Sequence, residues 1–442
     1  MTHHPIVFHT FLLSLLHLLV DGVCACGMMM MTCQITSDIE AYGMIVLYDV
    51  LAFGTQPLTG RWVDSNDASG HSLKIAIALL VCGALICSLP FSMNFLLAIM
   101  GVILLGIGNS LFHVYGGKYE AIVSHNDIRV MGVFVSTGAV GLAIGLGFSR
   151  MMLMVIFLLA LLALSSLHLH KAEIVRTEMA LSIYTEEVRL PSARSNVPFL
   201  FLSCLMLVVA GRAFIGESVP SLHAKFHPMG VPLTMVGVSI IVMVGKAAGG
   251  FLSKMWGVRN VFIISILLST TTFLMCPWHD IFVLLTLVSV NVSMPCTLWL
   301  ATKAVPCREG WAFGLLAMAL LPGYMLGNLS KDNVTCQMLV DPLVATILFE
   351  SLMLLYMRER RWQVLAASVV LNIFTNVPLN AFVMTYRVTS PLYLIGLECV
   401  VVVVEFVGYW LVLHKSNRAF KYSFLCNLFS ALVGCLCQYF FS

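Results

Sequence analysis

The chain has 442 residues, of which 60% are hydrophobic and only 10% charged, and its net charge is +3 at pH 7. Soluble domains carry about 25% charged residues, so a water-soluble protein of this size is excluded. The basic residues are scattered, which excludes a nucleic-acid-binding surface. The cysteines contain no Cys-x-x-Cys pair and predict neither a zinc framework nor a disulfide scaffold. The sequence predicts an all-α polytopic membrane protein.

Apolar segments, bounded by charged residues, proline or small polar clusters, predict fifteen membrane spans in chain order, each about 20 residues long. The first twelve lie near 6–31, 41–62, 73–91, 94–116, 129–149, 151–168, 197–217, 232–253, 260–277, 281–300, 311–329 and 341–357. Three more lie near 364–385, 391–413 and 420–441.

A long polar connection divides the chain into predicted domains. Residues 169–195 form a cytoplasmic linker between an N-terminal six-helix half, 1–168, and a C-terminal six-helix half, 196–357. Residues 363–442 form an accessory three-helix transmembrane extension. We therefore expect a bundle of twelve helices, arranged as six and six, with about three additional helices.

Basic residues are distributed unequally between the two sides of the predicted spans. With a cytoplasmic N-terminus, eighteen Lys and Arg residues fall in inner connections and four in outer ones. Inner loops of membrane proteins carry an excess of Lys and Arg. The pattern predicts a multi-pass protein of the cell membrane with its N-terminus in the cytoplasm and its C-terminus outside.

An internal repeat relates the two halves. Gly60-x-x-x-Asp64 at the end of the second span corresponds to Gly250-x-x-x-Lys254 at the end of the eighth. Gly60 and Gly250 are 190 residues apart, and Asp21 in the first span and Arg212 in the seventh are 191 residues apart. Two independent features in one register indicate a duplicated six-helix unit.

These motifs resemble the inner-loop signature of the major facilitator superfamily of secondary transporters, over about residues 1–357. Within that superfamily, the segment from His17 to Asp21 and the segment from Asn109 to His113 are similar to fosmidomycin-resistance-type efflux carriers. The resemblance implies alternating access between two halves. Val114 departs from the pattern, because this type has a proline after the histidine.

The resemblance also implies a gating role for the repeated motif. Gly60 and Gly250 allow two spans to approach closely, and Asp64 at a helix end can accept hydrogen bonds from a neighbouring helix N-terminus or an arginine. Ser65 and Lys254 depart from the family pattern, in which a basic and an acidic residue are usual. The alternative is an ordinary helix-end charge beside a packing glycine.

Ionisable residues inside predicted spans are functional candidates, because a charge at the bilayer centre costs at least about 2.5 kcal/mol. The candidates for substrate binding or proton coupling are Asp21, His17, Asp49, His113, Arg212 and Lys246. The resemblance implies that spans one and seven line the central cavity, so we expect Asp21 and Arg212 to face each other. The alternatives are a static ion pair and hydrogen-bonded interior histidines.

Glycines recur through the fifth span, from Gly132 to Gly145, and predict a close helix crossing. The stretch resembles the antiporter signature of efflux carriers, with Ala139 where that signature has a proline. The resemblance favours export. A small-residue interface without directional meaning is the alternative.

The extension carries polar residues at helical spacing, namely Asn372, Asn376, Glu398 and Glu405. Amides that face acids across a helix interface would hold an accessory bundle together. The alternative is a second ion or ligand site.

The sequence thus predicts a secondary active transporter for a small organic solute, coupled to protons, in contact with membrane lipid and monomeric. It predicts no enzyme, no catalytic residues, no cofactor and no metal site. The alternatives are a membrane-embedded enzyme and a non-transporting sensor or scaffold that uses the C-terminal helices.

Overall fold

A computed structural model describes residues 3–66, 71–90, 95–183, 197–226, 234–276, 279–332, 391–413 and 417–428, with eight single positions between 354 and 375. It divides into two compact units. The first comprises Met1–Pro198 and Leu205–Met325, and the second Phe199–Cys204 and Leu326–Ser442. In the described ranges every regular element is a helix.

The helices follow one another without intervening strands in the described part of the chain. In order they are α1 (His3–Thr32), α2 (Asp38–Asp49), a π-helical turn (Val50–Gly54), α3 (Gln56–Asn66), α4 (His71–Cys87), α5 (Phe95–Val123), α6 (Ile128–Ser136), α7 (Gly138–Gly147), α8 (Met151–Ile183), α9 (Val197–Phe226), α10 (Met235–Trp256), α11 (Val258–Met275), α12 (Asp280–Ala304), α13 (Glu309–Met318), α14 (Leu320–Asp332), α15 (Pro391–Leu413) and α16 (417–428).

Among the described residues, eight helical segments are long and apolar enough to cross a membrane, and two shorter apolar helices, His71–Cys87 and Val258–Phe273, accompany them. Helices satisfy their own backbone hydrogen bonds, as the lipid interior requires. The prediction of an all-α, multi-pass membrane protein is confirmed. The count of twelve plus three helices stays a prediction.

The described helices differ from the predicted spans in two ways, because one helix is longer than its predicted span and two predicted spans are divided. The predicted linker is helical over its first part, because α8 continues to Ile183. Its residues in this part are good helix formers and include no glycine or proline. The fifth and eleventh spans are each divided in two, at Thr137 and at Ala319. The Thr137 hydroxyl, which lies next to Gly138, donates to the carbonyl of Ser14, 2.6 Å away.

The glycines of α7 bring this helix close to α1. A side chain at Gly141 would overlap the backbone carbonyl of Leu18, and one at Gly145 would crowd the carbonyl of Gly22. The close helix crossing that the glycine spacing predicts is therefore present in the first unit.

The second unit has its own apolar core. Buried side chains from α15 and α16 pack with residues that precede α15 in the chain, and they include Tyr409, Tyr422 and Cys426. The predicted site residue Asn376 lies outside the described residues.

Candidate functional site

Three polar side chains meet in the interior of the first unit, between α1 and α5. His17 and Asp21 lie one turn apart on α1, and His113 lies on α5. The Nε2 atoms of the two histidines are 3.0 Å apart. Each Nε2 atom is also 3.4 Å from an oxygen of the Asp21 carboxylate. We call these three residues the His–Asp–His triad.

Backbone carbonyls determine which nitrogen of each imidazole carries a proton. Nδ1 of His17 lies 2.8 Å from the carbonyl oxygen of Phe134, and Nδ1 of His113 lies 3.0 Å from that of Asn109. A carbonyl oxygen only accepts, so each Nδ1 is the donor and each neutral imidazole presents a lone pair at Nε2. Two lone pairs and a carboxylate therefore converge on one point, and this arrangement requires a shared proton or another cation.

The helix α7 closes a further side of the triad. A side chain at Gly138 would collide with both Asp21 and His17, so only glycine fits there without displacement. The histidines are almost completely buried, whereas the side chain of Asp21 is 18% exposed. The triad is thus enclosed on its imidazole side and accessible on its carboxylate side.

The expected contact between Asp21 and Arg212 is not a direct ion pair in the described part of the chain. Both histidines occupy the Asp21 oxygens instead. Arg212 on α9 is buried, and its Nη1 atom has no hydrogen-bond partner among the described residues. Lys246 on α10 interacts electrostatically with both Arg212 and Asp21. Lys246 therefore lies near the triad, and neither Lys246 nor Arg212 forms an ion pair within 4 Å among the described residues.

Asp49, the other predicted proton-site candidate, interacts electrostatically with a residue outside the triad. It is partly buried at the end of α2 and interacts with Glu217 on α9. The structure thus records a separate acidic pair and no contact of Asp49 with the triad among the described residues.

The predicted gating motif joins the ends of α3 and α13. The carboxylate of Asp64 accepts hydrogen bonds from the backbone N–H groups of Gly310 and Trp311, at 3.0 and 2.8 Å. Lys118 lies 3.4 Å from the same carboxylate. A side chain at Gly60 would collide with the backbone of Gly310. Asp64 therefore binds the positive end of a helix, an interaction that its charge stabilises.

The second copy of the motif packs against the start of α6, with a basic residue in place of the acid. A side chain at Gly250 would come within 2.7 Å of the carbonyl oxygen of Ile128, at the start of α6. The acid here is Asp127, whose side chain caps α6 by accepting from the backbone N–H of Arg129 at 2.9 Å. Lys254, which occupies the place of Asp64 in the repeat, is exposed and attracts Asp127 electrostatically.

Asp127 lies between two membrane-spanning helices, and its ionisation is perturbed. Hydrogen bonds from the guanidinium of Arg129, the shortest 2.6 Å long, hold the pKa of Asp127 below its ordinary value. Asp127 is not among the site residues predicted from the sequence. Its position just before a predicted helix is the signal that could identify it, because an acid there can cap the helix.

A second polar cluster, formed by residues of α1, α5 and α8, was also not predicted from the sequence. Glu120 on α5 is 2% exposed and accepts a hydrogen bond from the hydroxyl of Thr10, at 3.1 Å. The rings of His9, Tyr119 and His168 pack together, and the ring centroids of Tyr119 and His168 are 4.8 Å apart. The predicted fourth span ended at residue 116, whereas α5 continues to Val123, so Glu120 was assigned to a loop.

In the second unit, Glu405 is completely buried. It accepts hydrogen bonds from the Thr375 hydroxyl at 3.1 Å and from the Asn427 amide at 2.5 Å. Asn372 donates to the carbonyl of Ser368, four residues earlier, and Glu398 is partly buried. The amide that contacts an acid in the second unit is therefore Asn427.

No family model matches the chain, and no curated protein matches it. Among solved structures it is similar to the human organic anion transporter MFSD10 (TETRAN), with 15% identity, 84% of this chain and 98% of that chain covered, and a TM-score of 0.53.

Two bacterial transporter structures are also similar to it. A bacterial homologue of the iron transporter ferroportin, outward-facing with soaked iron, is 15% identical over 80% of this chain and 98% of that chain, with a TM-score of 0.53. An outward-facing major facilitator transporter, FucP, is 12% identical over 75% and 94%, with a TM-score of 0.48. The chain therefore shares its fold with MFSD10 and with the ferroportin homologue.

Proposed function

We propose that this protein is a proton-coupled secondary transporter that moves a small organic solute across the membrane by alternating access. The fold and the apolar helices support a transporter. The observation that carries the proton coupling is the convergence of two imidazole lone pairs and the Asp21 carboxylate. A site of this kind is stable with a proton and unstable without one.

Proton release from the triad would change the contacts of Asp21. With the proton bound, one histidine is an imidazolium and pairs with the carboxylate. Without it, three acceptors repel one another and Asp21 is attracted more strongly towards Lys246, its other charged neighbour. This exchange of partners connects a helix of the predicted N-terminal half with one of the C-terminal half, so it can bias the equilibrium between two conformations.

The solute we propose is anionic or zwitterionic. Arg212 and Lys246 interact with each other, and neither has an ion-pair partner within 4 Å among the described residues. Arg212 is buried and Lys246 partly buried. Their like charges repel, and a bound carboxylate or phosphate would relieve that repulsion. MFSD10, whose fold is similar, is described as an organic anion transporter, which is compatible with this solute class.

We assign the inner gate to the hydrogen bonds of Asp64 with α13 and to the electrostatic attraction between Lys254 and Asp127. Both must separate when the inner side opens. We further propose that the protein acts as a monomer in the cell membrane, with the N-terminus in the cytoplasm, the C-terminus outside and export as the direction. The basic inner loops and the glycines of span five support these assignments.

The test is transport in proteoliposomes with an imposed pH gradient and a panel of small anionic and zwitterionic solutes. We expect Asp21→Asn to abolish the dependence on the pH gradient and Arg212→Ala to lower solute uptake at least tenfold. Glu40→Gln, which changes an exposed acid on α2, is the matched control and should transport as the wild type does. If no solute moves, or if both site variants transport normally, the proposed function is wrong.

The rival interpretation of the C-terminal helices as an enzyme or sensor site is less well supported. Both carboxylate oxygens of Glu405 already have hydrogen-bond donors, Thr375 and Asn427. A carboxylate with satisfied oxygens favours a structural role in the extension.

A further inference from the structure

We propose that the His–Asp–His triad is also a binding site for a divalent transition-metal cation, with Zn²⁺ as the reference ion. The proposal goes beyond proton-coupled transport, and the sequence analysis predicted no metal site. One ligand atom from each of the three residues lies within 4.8 Å of the others.

The distances between the donor atoms fit a single tetrahedral ion. Zn²⁺ binds nitrogen and oxygen ligands at about 2.0–2.1 Å, so two ligand atoms of a tetrahedral ion lie about 3.3 Å apart. The observed separations are 3.0 Å between the Nε2 atoms of His17 and His113, and 3.4 Å from each to Asp21. An ion can enter between them with movements of a few tenths of an ångström.

The hydrogen bonds of the other ring nitrogens of the triad resemble those of a metal site. Histidines that bind metals almost always donate their other ring N–H to a carbonyl or carboxylate, which orients the ring and raises its basicity. Phe134 and Asn109 supply these carbonyls through their backbones. The two rings are perpendicular, with centroids 4.7 Å apart.

Charge and exposure also suit a cation. Two neutral imidazoles and a carboxylate carry a net charge of −1 in a site of low dielectric, where a divalent ion gains more than it does in water. The carboxylate side is open, because 18% of the Asp21 side chain is exposed. Three protein ligands with an open fourth position are usual for zinc sites that exchange a ligand.

Lys246 on α10 interacts electrostatically with Asp21, so its positive charge opposes a metal cation, and Arg212 interacts with Lys246. Removing the positive charge of Lys246 should therefore strengthen metal binding. The ligand set also sets selectivity, because imidazole nitrogens suit Zn²⁺ and Co²⁺ whereas Mg²⁺ and Ca²⁺ require mostly oxygen ligands. A metal and the coupling proton would exclude each other from the triad.

The test measures metal binding directly, so it does not depend on whether the protein transports anything. Full-length protein without a polyhistidine tag is purified in detergent and dialysed against Zn²⁺. We expect His17→Gln and His113→Gln each to weaken the tightest Zn²⁺ site at least tenfold, and Lys246→Met to strengthen it. His168→Gln is the matched control, because it removes a buried histidine of the other cluster, and it should leave this site unchanged.

Co²⁺ supplies a measurement on the wild-type protein, which does not depend on a variant folding. We expect the intense visible absorption bands of a tetrahedral nitrogen–oxygen site, unaffected by excess Mg²⁺. Equal Zn²⁺ binding by wild type and His113→Gln would overturn the proposal, as would an octahedral Co²⁺ spectrum or displacement of the ion by Mg²⁺. Transport that fails while Zn²⁺ binds as expected would overturn the proposed function alone.

Discussion

His17 on α1 and His113 on α5 are 96 positions apart in the chain, yet their Nε2 atoms are 3.0 Å apart. Each ring donates its other nitrogen to a backbone carbonyl. The contact therefore requires a cation between two acceptors, and it couples the two helices at the site where we propose that protons bind.

This contact predicts that the two histidines act together. We expect His17→Gln and His113→Gln to be non-additive in a double-mutant cycle of thermal unfolding, with an interaction energy of about 0.5–3 kcal/mol. The matched cycle of His17→Gln with His168→Gln should be additive within about 0.5 kcal/mol, because the ring of His168 packs with His9 and Tyr119 in the other cluster. Additive effects in both cycles would show that the contact carries no energy.

Gly138 predicts a steric effect that is specific to its position in α7. An alanine methyl group there would collide with Asp21 and His17, so we expect Gly138→Ala to lower stability by about 1–3 kcal/mol and to impair the triad. Gly147→Ala in the same helix is the control, because a methyl group there meets nothing within 4 Å. Thermal unfolding in detergent measures both, and equal values for the two variants would contradict the packing described.

Asp64 predicts a stabilising contact at the proposed inner gate. Asp64→Ala removes the acceptor of two backbone hydrogen bonds and the partner of Lys118, which we expect to cost about 1–3 kcal/mol. Ser65→Ala alters the next residue, which is exposed and bonds to its own helix. A loss for Ser65→Ala as large as that for Asp64→Ala would mean that the helix end, and not the carboxylate, determines stability.

Asp127 predicts a pH dependence. Its folded-state pKa lies below the ordinary value of about 3.9, so its ionised form contributes stability above that pH. That contribution is lost as the pH falls through the lower pKa of the folded state. We expect Asp127→Ala to cost about 1 kcal/mol at pH 7 through loss of the cap, and the difference from wild type to shrink below about pH 4.

The amide variant separates the two roles of Asp127. Asp127→Asn keeps an acceptor for the N–H of Arg129 but removes the charge, so it should cost less than Asp127→Ala at pH 7. Unfolding curves at several pH values measure both variants. A difference from wild type that grows as the pH falls would contradict the direction of the pKa shift.

Glu405 predicts a structural contribution in the extension. Glu405→Ala removes one acceptor each from the Asn427 amide and the Thr375 hydroxyl, which also donate to the carbonyls of Ser423 and Leu371. Polar contacts within membranes contribute about 0.5–2 kcal/mol. We expect a loss of that size. Glu398→Ala, at a partly buried acid seven residues earlier, should change stability by less than about 0.5 kcal/mol. Equal losses would point to a shared site for both acids.

Much of the architecture follows from composition alone. A chain with 10% charged residues must fold in lipid, and lipid permits helices because they satisfy their own backbone hydrogen bonds. The local spacing of residues also predicted the type of two contacts between helices. The glycines of α7 pack on α1, and Asp64 accepts from a helix N-terminus, because both features depend on a few neighbouring residues.

Only the tertiary structure decided which polar side chains meet. The repeat suggested Arg212 as the partner of Asp21, whereas the histidines of α1 and α5 occupy its oxygens. Such contacts depend on the rotation and register of helices that are distant in sequence. Helices that are apolar on every side carry no periodicity from which their facing surfaces can be read, so packing alone determines that His113 faces Asp21.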